Sequence, residues 1–61
     1  SPNAYLTLAE YLEDYAEEET KETGYNLIKQ EIKTAPLDER VKKDVIEKLE
    51  KIKNGERDLY F

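Results

Sequence analysis

Cysteine, histidine, methionine and tryptophan are all missing from this 61-residue chain, and serine occurs once, at Ser1. Without cysteine there is no disulfide and no thiolate, and without histidine there is no Ser–His or Cys–His nucleophile system. A zinc site would have only carboxylates to draw on, whereas zinc prefers cysteine and histidine. The two glycines, Gly24 and Gly55, are too few for a loop that cradles phosphate. The acids follow helical spacing rather than the alternate loop positions of a calcium site. No apolar run approaches the roughly 20 residues of a membrane span, and there is no signal-peptide pattern. Pairs such as Glu10 and Asp14 are expected on an open helix surface, where nothing excludes water from acid–base work. These absences predict a soluble non-enzyme with no catalytic residue, no metal and no cofactor, and they leave its compartment unassigned.

Basic residues are also scarce. Fifteen acids face ten bases, for a net charge of −5. This disfavours nucleic acid and anionic lipid as partners, because both require clustered Lys and Arg. The imbalance is concentrated early: Glu10, Glu13, Asp14, Glu17, Glu18, Glu19 and Glu22 precede residue 24, against Lys21 alone. Such a stretch suits either a solvated helix face or a basic partner.

What is present is helical periodicity. After Ser1-Pro2, a capping residue followed by a proline suited to a first helical turn, Tyr5, Ala9, Leu12 and Ala16 recur on one face. Gly24 reads as the stop of this helix, although Glu17–Glu19 and Glu22 then sit at its negative pole, where bases are preferred. Tyr25, Ile28, Ile32 and Ala35 form a second stripe about half a turn out of phase with the first, so the chain must reverse between them. Pro36 closes this segment. Leu37, Val41, Val45, Leu49 and Ile52 form the third stripe, with Thr34 or Asp38 as its cap and Asn54-Gly55 as its stop. Four acid-to-base pairs at i, i+4 run along it: Asp38–Lys42, Glu39–Lys43, Asp44–Lys48 and Glu47–Lys51. The predicted fold is all-α: a single domain over 1–61, folded as a small antiparallel three-helix bundle. Its helices fall at about 2–22, 25–34 and 37–53, the middle one short, and a tail follows at 56–61.

One feature exceeds what a bundle needs. Ala4, Leu8, Tyr11 and Tyr15 form a second apolar stripe on helix 1. With the core stripe it spans roughly 160°, against the ~100° a core-facing helix requires. Either helix 1 packs against both neighbours along this width, or Ala4, Leu8, Tyr11 and Tyr15 are a protein-docking face with Tyr11 at its centre. Tyrosine suits the second role because it offers a large rigid contact with a polar tip. Leu59, Tyr60 and Phe61, at the end of the tail, are a possible second recognition element or a structural strap.

The "SPN" opening, the stretch "TAPLDERVKKDVIEKLEKIKNG" with its cap, charge ladder and Asn-Gly stop, and the missing Cys, His, Met and Trp give the chain a resemblance to de novo designed or engineered helical miniproteins. Thermophilic proteins share such Lys/Glu networks. The resemblance implies a stable helical scaffold whose job is to bind a chosen protein or simply to fold. Three functions follow as expectations. The first is a non-catalytic protein-binding module using the helix 1 face. The second is a scaffold or self-associating bundle. The third is a small acidic regulator of a protein with a basic surface. The oligomeric state is expected to be monomeric or weakly self-associating.

Overall fold

The computed structural model describes residues 2–56 and contains three helices: α1 (Asn3–Tyr15), α2 (Glu18–Thr34) and α3 (Glu39–Lys53). They form the expected all-α three-helix bundle. α2 runs antiparallel to its neighbours. Leu12 of α1 lies against Gly24, while Tyr5 and Leu8 share a groove with Ile28 and Glu31 further along α2. On the other side Lys53 approaches Tyr25, Lys29 pairs with Glu50, and Lys42 reaches Lys33.

The reversal between the first two helices falls at Ala16 and Glu17, both extended (ψ 150° and 160°), and not at Gly24. The expected boundaries of 2–22 and 25–34 are corrected accordingly. α2 has 17 residues against 13 in α1, so the middle helix is the longest of the three and not a short one. The physical reason lies in the acidic run. Glu18 and Glu19 occupy the first turn of α2, at the positive pole of the helix dipole, where acids stabilise. Gly24 therefore sits inside a helix, and its role is close approach. A Cβ built there would come within 2.6 Å of Leu12 Cδ1. With no side chain at Gly24, Leu12 packs directly on the α2 backbone.

The ends of the other helices follow the chemistry of their residues. Pro2 adopts helical φ and ψ, and its carbonyl accepts from Tyr5 N at 3.2 Å. Ser1 lies outside the described residues. Ala35 is extended, as a residue before proline prefers. Asp38, not Thr34, caps α3: its carboxylate accepts from Arg40 N at 2.8 Å. The Thr34 hydroxyl donates instead to the Gln30 and Glu31 carbonyls within α2. At the end of α3, Gly55 takes φ +85°, Gly55 N donates to the Ile52 carbonyl and Glu56 N to the Lys51 carbonyl. This is a Schellman cap, which requires the left-handed conformation that glycine adopts most readily.

The core comprises Leu6, Ala9, Tyr25, Ile28, Ile32, Val45, Leu49 and Ile52, with Tyr5, Leu12 and Ile46 packed half-buried against it. Two of the predicted stripes are recovered in their central members. On α3, Val41 sits at the exposed margin instead of in the core. On α1 the stripe is displaced: Leu6, which is not a member of the Tyr5, Ala9, Leu12 and Ala16 stripe, is 2% exposed, while Ala16 falls in the turn. The displacement has a cause in the packing. α1 uses Leu12 against α2 and Leu6 against the Val41–Val45 side of α3. Its buried face therefore widens away from the Leu8–Tyr11 stripe.

Of the four expected ion pairs on α3, Asp44–Lys48 forms at 3.0 Å. Lys42 turns to Glu39 (3.6 Å) and donates to the Lys33 carbonyl at 2.7 Å. That carbonyl belongs to the last turn of α2, whose acceptors lack helical partners. Lys42 thus ties α3 to the end of α2.

Candidate docking face on α1 and α2

At 100° per residue, Ala4, Leu8, Tyr11 and Tyr15 share one side of α1. All four face solvent: Leu8 is 52% exposed, Tyr11 63% and Tyr15 74%, and Ala4 is exposed with them. A wide core that absorbs this stripe is therefore not what forms. The i, i+4 spacing of Tyr11 and Tyr15 brings their ring centres to 4.8 Å with a tilt of 44°. The two rings form one ridge.

A fifth residue joins this face from α2. Leu27 is 63% exposed and stands across a groove from Leu8. The groove has a volume of about 220 Å³ and a floor of Leu12, Gly24 and Ile28. A second depression of about 340 Å³ continues it past Thr20 and Thr23, sharing Leu12, Gly24 and Leu27. Gly24 is what opens this floor, because any side chain there would occupy it. In the sequence Leu27 falls off the Tyr25, Ile28, Ile32 and Ala35 stripe. Its period on α2 is readable, but its neighbour across the groove depends on the register between α1 and α2, which no single-chain pattern encodes.

The charges around this face have one sign. Glu31 edges the first depression and Glu19 the second, and no base lines either. The bases of α2 point elsewhere. Lys21 pairs with Glu13 at 3.6 Å and Glu18 at 3.3 Å, and Lys29 pairs with Glu50 of α3. The hydrogen bond to Glu18 holds the Lys21 ammonium above its ordinary pKa, against the opposing effect of desolvation and with attraction from Glu13 added.

At one end of the bundle a different cluster gathers. The buried Tyr25 donates its hydroxyl to Glu13, Glu13 pairs with Lys21, and Lys53 Nζ lies 5.7 Å from the Tyr25 ring centre. An open cleft of about 590 Å³ lies beside it. The Glu13 contacts join α1 to α2 at that end, and Lys53 brings α3 against Tyr25 there. Among the described residues no three acids gather as a metal cage, and no helix is long and apolar enough to cross a membrane. The possible second element, Leu59, Tyr60 and Phe61, lies outside the described residues. The arrangement belongs to the broad class of all-α three-helix bundles. Compared with protein-family models, with curated proteins and with solved structures, the chain matches none.

Proposed function

We propose that this chain is a non-catalytic protein-binding module, of the kind that designed helical miniproteins represent, and that it binds through Leu8, Tyr11 and Tyr15 of α1 together with Leu27 of α2. The supporting observation is the continuous row of large apolar side chains left in solvent beside an apolar groove, in a chain of which 41% is charged. Single exposed apolar residues are ordinary, but four large ones on adjoining helices, with Leu8 and Leu27 lining the groove itself, are the usual mark of an interaction surface. Tyr11 and Tyr15 support each other's orientation, so ordering them on binding costs little conformational entropy.

Neighbouring substitutions test this. A partner captured on the immobilised chain is purified, and its affinity is measured by calorimetry against the parent, Tyr11→Ala and Leu12→Ala. Tyr11→Ala should weaken binding by about 1–3 kcal/mol and leave the melting curve nearly unchanged. Leu12→Ala should lower stability by about 2 kcal/mol, the low end for a leucine in half-buried packing. Equal destabilisation by both changes, with affinity intact, would leave a stable bundle with no docking role for α1. Sedimentation of the pure protein identifies the self-associating alternative, since a mass rising with concentration would make the face a homomeric contact.

A further inference from the structure

Resting on that reading, we infer that the partner segment is a basic amphipathic helix: a helix with an apolar stripe flanked by Lys and Arg, laid along the α1/α2 groove. The shape of the groove argues for a helix. It runs between two antiparallel helices, with Leu8 and Leu27 as walls and Leu12, Gly24 and Ile28 as floor. A third helix fills such a furrow with side chains at i, i+3, i+4 and i+7, and the exposed Tyr11–Tyr15 pair lies on the same side of α1 as Leu8. Among the described residues there is no strand whose edge could pair with an extended segment.

The sign of the partner follows from how the molecule distributes its charge. α1 carries three acids and no base, while α3 carries six bases against four acids. Glu19 and Glu31 edge the groove, and no Lys or Arg lines it. A bound helix with basic flanks would meet these carboxylates, whereas acidic flanks would meet like charge. The same geometry argues against a second copy. A two-fold contact would press this face on itself and set the acids at its edges, Glu19 and Glu31, against acids of the same face on the other copy. Contact with the basic α3 side of another copy would be head-to-tail and would build rings or filaments, which sedimentation of the pure protein detects.

The test uses three fluorescent helical peptides of about 18 residues. They share one leucine stripe and differ in Lys, Gln or Glu at the flanking positions. Binding is followed by anisotropy at low salt and at ~0.5 M salt, where exposed charges are screened within a few ångströms. The chain is the parent, Leu27→Ser, or the double variant Glu19→Lys with Glu31→Lys. All the changed residues are solvent-exposed, and circular dichroism checks that each variant is folded. The Lys-flanked peptide should bind at least about tenfold more tightly than the Glu-flanked one and weaken with salt. Leu27→Ser should reduce that affinity about tenfold, and the double variant should reverse the peptide preference. Equal binding of all three peptides, lost in Leu27→Ser, overturns the basic partner and keeps the docking face. Binding of the Lys-flanked peptide untouched by Leu27→Ser overturns the groove as its seat. Absence of binding by any peptide overturns the helical partner, leaving the docking face to the Tyr11→Ala measurement. A dimer in sedimentation that Leu27→Ser disperses assigns the groove to a second copy and overturns both.

Discussion

At residue scale, Gly24 carries the largest consequence for its size. Inside a helix, glycine costs about 0.8–1.0 kcal/mol relative to alanine, so Gly24→Ala would ordinarily stabilise. Here the added methyl meets Leu12 Cδ1 at 2.6 Å and Cδ2 at 3.0 Å. Leu12 must move off the α2 backbone, and displacements of this kind cost about 1–3 kcal/mol. The net effect of Gly24→Ala should be neutral to destabilising. With Leu12→Ala already in place the obstacle is gone, and Gly24→Ala should then stabilise by about 1 kcal/mol. Chemical denaturation of the four proteins gives the coupling directly. Identical effects of Gly24→Ala in both backgrounds would mean that Leu12 and Gly24 do not press on each other.

At the scale of elements, the α1–α2 turn is held by charge in place of turn residues. Ala16 and Glu17 are neither glycine nor proline, and the fastening comes from Lys21, which bridges Glu13 of α1 and Glu18 in the first turn of α2. The folded-state pKa of Lys21 is raised above its ordinary value of 10.5. A raised lysine contributes stability fully present below the unfolded value and lost as pH rises through the folded one. The advantage of the parent over Lys21→Met should therefore be steady below pH 10.5 and shrink above it. The difference between the two proteins is the quantity to follow, because it isolates the Lys21 contribution. A gap between parent and Lys21→Met that stays constant to high pH would show that the Lys21 charge does no fastening.

For the whole molecule, one small core must hold three helices together. Leu6 and Ala9 from α1, Tyr25, Ile28 and Ile32 from α2, and Val45, Leu49 and Ile52 from α3 close on each other with no buried polar residue among those described. A carboxylate placed there has no partner. Val45 is 3% exposed, and Val45→Asp should unfold the domain, because an unpaired buried charge costs several kcal/mol and domains of this size have little stability in reserve. The far-ultraviolet spectrum of Val45→Asp at room temperature decides this. A helical signal and melt equal to the parent would place Val45 outside the core.

The local sequence by itself determined the class of fold, the existence of three helices, the Pro36 break and the glycine stop at Gly55, and it narrowed the α3 cap to Thr34 or Asp38. Each of these depends on residues a few positions apart, so propensity, capping and periodicity act within one segment. The phase mismatch between the Tyr5–Ala16 and Tyr25–Ala35 stripes also showed that the chain had to reverse. Where it reversed was misplaced, because Gly24 has the composition of a helix end and only its packing against Leu12 reveals it as a contact. The acidic run at Glu17–Glu19 carried the better signal: it has the wrong sign for a helix end and the right one for a helix start. Tertiary structure alone decided that Leu6 is core, that Leu8, Tyr11 and Tyr15 remain in solvent, and that Leu27 stands across a groove from Leu8. A helical period fixes which residues share a face. Which face is covered depends on how α2 and α3 flank α1, and that is set by long-range contacts such as Leu12 on Gly24 and Tyr25 to Glu13.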